Sequence, residues 1–544
     1  MVDKSLISVH RCLWPPPQAT IGGQIRENRR MDRRSDEQEA IVVDTPSGKL
    51  AGVRNGEILS FRGVPFAKPP VGVLRWRMAE PCAPWPGVRD ASRFGPACPQ
   101  AVSQIETFTG GMMGEQSEDC LYLNIWTPAL DGAKRPVMVW IHGGAFVIGA
   151  GSQGTYNGKH LASRDVVVVT INYRLGAFGF LDLRGVTNGK IPGTGAEGLG
   201  DQILALDWVK KNIGAFGGDA DNVTIFGESA GGMSVTALLA SSAARGLFHK
   251  AIPQSGAGHI GHGAERSERV SRALLDALGL DASDGAKLAE LSTDEILKAQ
   301  ISLLSAARGG RDPRKLGALP FQPTVDGTIL PERPIEAIRK GSAKGIPVLA
   351  GTTREEWKLF TAADPRLRLM SAKGLADRIT RIAREFAPAF LDAYSEGSPF
   401  ERFNAYMTDK NFTIPMIRLA EAQSRYAAVH AYRFDWRSPL LGGIMGSCHA
   451  LELGFVFGTH NQRLASAFFG SGPAAEALAS ATMDCWASFA RTSNPATASA
   501  DKWPAYIGAR DVMIFGDGAP HIASVPSPAR LRTWDDFPER KLGP

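Results

Sequence analysis

Thirteen residues, Val223-Thr224-Ile225-Phe226-Gly227-Glu228-Ser229-Ala230-Gly231-Gly232-Met233-Ser234-Val235, constrain what this chain can fold into more than any other stretch. The β-branched and aromatic run Val223–Phe226 suits a buried strand. The Ala/Leu-rich stretch 230–240 is built of good helix formers. Between them, Gly227-Glu228-Ser229-Ala230-Gly231 has the G-x-S-x-G pattern of a nucleophile elbow, a strained strand-to-helix turn that holds a serine Oγ clear of the backbone. Glycine is needed on both flanks because a Cβ there would meet the neighbouring strand or the incoming helix. The helix N-terminus would also direct positive partial charge at Ser229. An ordinary glycine-rich turn has the same five letters; the strand before it and the helix after it favour the elbow.

The rest of the chain repeats the strand–helix alternation. Residues 40–66 read as a small antiparallel start, with a Pro46-Ser47-Gly48 turn, and 64–100 as Pro/Gly-rich ordered loop. Leu121–Trp126, Val137–Ile141, Val166–Tyr173, Ile346–Ala350 and Ala431–Trp436 read as strands, with Met513–Phe515 as a last edge strand. Helices are predicted over 200–215, 264–278, 284–305 and 474–491. Near-continuous apolar strands alternating with helices predict an α/β fold, a doubly wound, mostly parallel central sheet flanked by helices. Residues 1–38, with three consecutive prolines and an arginine cluster, read as a disordered extension in which Met31 is an alternative start; 39–544 reads as a single catalytic domain. The extension lacks the apolar core of a signal peptide, so a cytoplasmic location is the expectation.

Charge and cysteine usage exclude several classes. The formal net charge of +6 is spread over scattered Lys and Arg, which predicts no nucleic-acid partner. No apolar run reaches the ~18–20 residues of a membrane helix, so no membrane span is expected. The six cysteines show no C-x-x-C spacing, which disfavours a zinc site. Cys98 and Cys120 could close a loop by a disulfide, or be two reduced thiols.

A serine hydroxyl needs a base to take its proton and donors for the oxyanion it creates. In Trp140-Ile141-His142-Gly143-Gly144-Ala145-Phe146 a strand runs into a glycine turn, which lets successive N–H groups point into one spot; Ala230, after the nucleophile, adds another. Of the ten histidines, those after the elbow fit the chain order Ser, acid, His. His449 is the best candidate, in a small-residue loop after the strand 431–436, while His259, His262, His460 and His521 read as surface residues. For the acid, Glu356 follows the strand 346–350 and adjacent Glu355 is its rival.

Longer motifs carry a resemblance. Phe226–Ser234 and Glu118-Asp119-Cys120-Leu121-Tyr122-Leu123-Asn124 resemble the two signatures of type-B carboxylesterases; Pro65–Pro70, Asn172–Phe180 and Ala215–Asp219 match as well, and the likeness spans roughly 40–540. It implies the α/β-hydrolase fold, with large helical and loop insertions around the active site. It implies Ser229 as nucleophile, Glu356 as acid and His449 as base, with Gly144, Ala145 and Ala230 as oxyanion donors and Gly143 making the turn. It also implies ion pairs Arg75–Glu118 and Arg174–Asp201 and a Cys98–Cys120 bridge. Two positions depart from the family pattern. Trp357 stands where glycine usually follows the acid, as a possible part of an acyl pocket. The 98–120 loop has Phe108 but no tryptophan for a cation–π platform, which disfavours a choline substrate.

The reaction so implied is hydrolysis of small-to-medium apolar esters by an acyl-enzyme route, with ester and water as partners and no metal or organic cofactor. Carbamates, amides or lactones are the alternative substrates for the same triad, and a non-catalytic binding protein on the same fold is the more distant one. Hydrolysis is expected to rise with pH through roughly 6–7 as His449 becomes neutral. Met112, Met113 and Phe108 are candidates for an adaptable apolar rim.

Overall fold

The computed structural model describes residues 40–102, 114–308, 316–500, 502–506 and 510–543. The expected extension over 1–38, with Met31 and Cys12, lies outside the described residues, as do Phe108, Met112 and Met113. From Ala40 onward the chain makes one compact unit.

The opening alternation forms β1 (Ala40–Thr45), β2 (Gly48–Asn55) and β3 (Ile58–Pro65), paired antiparallel in sequence. The Pro/Gly-rich stretch after them contributes one short strand, β4 (Val88–Asp90), parallel to β2. Next come β5 (Tyr122–Thr127), β6 (Arg135–Ile141), β7 (Val167–Ile171) and β8 (Gly218–Glu228). The last five are β9 (Lys250–Gln254), β10 (Val348–Thr353), β11 (Val429–Phe434), β12 (Asp511–Phe515) and β13 (His521–Ser524). Among the described residues they form one sheet in the order β1-β2-β3-β5-β7-β6-β8-β9-β10-β11-β12-β13. Every pair from β7 to β12 is parallel; the other neighbours in that order pair antiparallel, and β4 lies off it, parallel to β2.

The parallel centre is covered on both faces, and the pleat of β6 shows how. Val137, Val139 and Ile141 join one apolar core with Val235 and Leu238 of helix Ala230–Ala240. Met138 and Trp140 join a second core with Leu478 and Trp486 of helix Pro473–Thr492. Alternate side chains of one strand thus feed two cores, which is why these strands read as unbroken apolar runs. Burying each large apolar side chain stabilises the sandwich by about 1.5–3 kcal/mol.

Two expectations are corrected. Met513–Phe515 lies in β12, which is not an edge, because β13 pairs outside it. The helix predicted over 284–305 is two helices, Gly285–Glu290 and Thr293–Arg308. The break is a reciprocal cap: Ser292 Oγ accepts the Glu295 N–H at 3.3 Å, and Glu295 Oε2 accepts the Ser292 N–H at 2.9 Å.

The topology sets up the site. β6, β8, β9, β10 and β11 are consecutive parallel neighbours, so their carboxyl ends form one row. The glycine turn follows β6, the elbow follows β8, Ser255 follows β9, Glu356 follows β10, and the loop to His449 follows β11.

Candidate active site

At the elbow, Ser229 has φ 56° and ψ −122°, a region L residues rarely occupy and one that costs about 1–3 kcal/mol. The Ser229 N–H donates to Gln254 O at 2.9 Å, which ties the turn to the end of β9. Packing demands the glycines: a Cβ on Gly231 would lie 2.0 Å from Ile141 O, and one on Gly227 2.6 Å from the same oxygen.

The β6 turn packs straight onto the elbow. A Cβ on Gly143 would come 2.7 Å from Glu228 O and 3.1 Å from Ser229 Cβ. Gly144 (φ 107°), Ala145 (φ 56°) and Phe146 (φ 61°) are all left-handed, which turns successive N–H groups inward. Among the described residues the N–H groups of Gly144, Ala145 and Ala230 find no acceptor. Gly144, Ala145 and Ser229 are half-buried amid buried neighbours, so this patch is open to a ligand. His142 fixes the turn from behind, stacked 4.4 Å from the Tyr173 ring with Nδ1 2.8 Å from Gly143 O. Burial, against that hydrogen bond, pulls its pKa down to about 4, so it stays neutral.

Opposite the turn, His449 Nδ1 lies 2.6 Å from Glu356 Oε2. Glu356 is fully buried, and its other oxygen accepts from Ser255 Oγ at 2.6 Å and from the Thr353 N–H at 2.7 Å. Three donors therefore fix the carboxylate, and the carboxylate fixes the ring with Nδ1 protonated. Rival Glu355 faces away, paired with Lys358 and accepting the Ser447 N–H at 2.9 Å.

The second ring nitrogen, Nε2, is 3.1 Å from Glu228 Oε1 in a charge contact without hydrogen-bond alignment. The Ser229 hydroxyl makes no hydrogen bond among the described residues. Hydroxyl–imidazole contacts of this kind often close only around bound substrate. Burial lowers the His449 pKa, but Glu228, Glu356 and Glu452 together outweigh it and lift it to about 9. The rise with pH is therefore expected above the 6–7 of an unperturbed imidazole. Burial, with Glu452 and Glu356 beside it, also raises the Glu228 carboxyl to about 8.

The remaining sites fall as follows. Arg174 and Asp201 form a fully buried bidentate pair at 2.8 and 2.6 Å, and Arg75 and Glu118 a partly buried one at 2.7 Å in both arms. Arg75 also donates to Leu291 O at 2.8 Å, tying the break between the two helices to the 118 loop. The Cys98–Cys120 bridge is a correction: both are free, buried thiols. The hydrogen bond to Cys98, then burial, pushes Cys120 well above the usual thiol range, and a protonated thiol is not the exchanging species. His262 and His460 are also corrected, being 3% and 2% exposed rather than on the surface. His259 is half-buried, with its imidazole 3.0 Å from Glu539 Oε1.

Sequence reasoning missed Ser255, which holds the acid Glu356, and Glu228 and Glu452, whose charges act on the imidazole. Two signals were available. Ser255 directly follows the strand beside the elbow strand, and Glu452 lies three residues after His449.

The model of the Carboxylesterase family matches residues 39–521. The chain is 42% identical to the para-nitrobenzyl esterase of Bacillus subtilis (strain 168), over 86% of this chain and 92% of that protein. It is 35% identical to the phenmedipham hydrolase of Pseudarthrobacter oxydans, over 89% and 96% respectively. The solved carboxylesterase of Geobacillus stearothermophilus superposes with a TM-score of 0.81 at 40% identity, covering 91% of this chain and 100% of that one.

Proposed function

The chain belongs to the type-B carboxylesterase family and is a serine carboxylic-ester hydrolase, and we propose that Ser229, His449 and Glu356 carry out its chemistry on small-to-medium apolar esters. His449 takes the Ser229 proton as Oγ attacks the ester carbonyl. The N–H groups of Gly144, Ala145 and Ala230 hold the tetrahedral oxyanion, and Glu356 stabilises the imidazolium that forms. His449 then gives the proton to the departing alcohol. Water enters by the same base, and the acid leaves Ser229 free.

The observation that carries this reading is the 2.6 Å contact between His449 Nδ1 and the fully buried Glu356, at the end of the strand two places from the elbow strand. A structural histidine on the surface would have no need of a buried anion held by two further donors.

The test is a chain-length series of p-nitrophenyl esters, with matched carbamate and anilide substrates, on wild type and Ser229→Ala. Short and medium esters are expected to turn over fastest, and Ser229→Ala to lose about 10⁴- to 10⁶-fold in kcat with its fold intact. Equal turnover by wild type and Ser229→Ala would remove Ser229 from the mechanism; faster carbamate or anilide cleavage would replace the substrate class.

A further inference from the structure

The imidazole of His449 lies against two aromatic rings. Phe412 lies 4.9 Å from it and Phe360 5.5 Å, centroid to centroid. Trp357 joins the two, 4.9 Å from Phe360 and 6.4 Å from Phe412. The backbone holds this wall in place: the Trp357 N–H donates to Thr408 Oγ1 at 3.1 Å, and Phe412 sits in a π-helical turn, Asp409–Thr413, of a kind common at functional sites. Phe412 is 6% exposed, Trp357 is half-buried and Phe360 is 49% exposed. A large ring left open beside a buried catalytic imidazole is a surface for a ligand.

The chemistry says which part of the ligand meets it. In the tetrahedral intermediate the oxyanion points to the backbone donors, and the leaving oxygen must face His449 Nε2 to receive its proton. Whatever is bonded to that oxygen lies along the imidazole, beside the same rings.

We propose that Trp357, with Phe360, forms the binding surface for the alcohol portion of the ester and selects flat aromatic alcohols over small alkyl ones. The position assigned from the sequence to an acyl pocket thus serves the other half of the substrate. This rests on the ester-hydrolase reading above.

Two ratios of kcat/KM test it: benzyl acetate over methyl acetate, which varies the alcohol, and methyl phenylacetate over methyl acetate, which varies the acyl group. Each is measured for wild type, Trp357→Gly and Trp357→Phe, with organophosphate titration of Ser229 counting competent sites. Trp357→Gly is expected to lower the benzyl/methyl ratio about tenfold, mainly through KM, the size of one aromatic contact. Trp357→Phe should restore most of it, and the acyl ratio should move less than about twofold. A fall in the acyl ratio instead would put the ring on the acyl side; no change in either ratio would make it packing alone. If wild type cleaves none of these esters, the parent reading fails rather than this one.

Discussion

Around Ser229 the chain is positioned by backbone packing, and around His449 by side-chain hydrogen bonds. At the elbow, Gly143, Gly227 and Gly231 let three backbone segments approach to distances that no side chain would survive. Across the cleft, Glu356 is held by Ser255 and Thr353 and in turn holds the imidazole. The first half therefore has little tolerance for added atoms. The second has little tolerance for a changed proton inventory.

Substitutions can break that contrast or sharpen it. Glu356→Gln should fold, because Ser255 and Thr353 can still donate to its amide oxygen. Its NH₂ would then face Nδ1 and impose the wrong tautomer, so kcat is expected to fall about 10⁴-fold while the melting temperature holds. A collapse of folding with no specific rate defect would contradict it. Gly231→Ala should do the reverse: its Cβ meets the Ile141 carbonyl, and urea unfolding should show a loss of about 3 kcal/mol. A variant as stable as wild type would mean that the elbow is not tightly packed.

Electrostatics separate the halves further. With its pKa lifted to about 9, His449 is protonated and inactive as a base at low pH, so kcat/KM should rise with pH and reach its midpoint above the ordinary 6.5. Glu228→Gln removes a carboxyl 3.1 Å from Nε2 whose ionised form favours the imidazolium. The rising limb should move to lower pH by about one unit, read from the pH profile of kcat/KM. The smallest effect belongs to Ser255→Ala, which leaves the Thr353 N–H on the same oxygen; kcat should fall by less than about tenfold.

The same contrast governs what could be read from the sequence. The elbow and the glycine turn are contiguous stretches, and their steric demand appears directly as glycines at fixed spacing. The parallel strands were legible because both faces are apolar. Glu356 and Glu355 are adjacent letters, and only the turn after β10 sends one to Ser255 and the imidazole and the other to Lys358. Burial of His262 and His460 left no trace in their neighbours' polarity. The raised His449 pKa depends on Glu228 and Glu452, which the chain brings together from separate elements.

The most direct test of the proposed convergence is a crystal structure of the organophosphate adduct. If Ser229, His449 and the three N–H groups act on one carbon, phosphorus is bonded to Ser229 Oγ. Its oxygen then lies roughly 2.7–3.1 Å from the N–H groups of Gly144, Ala145 and Ala230. His449 Nε2 is expected to have left Glu228 for an oxygen on phosphorus. An adduct on another residue, or an imidazole still on Glu228 with the phosphoryl oxygen facing solvent, would contradict the mechanism.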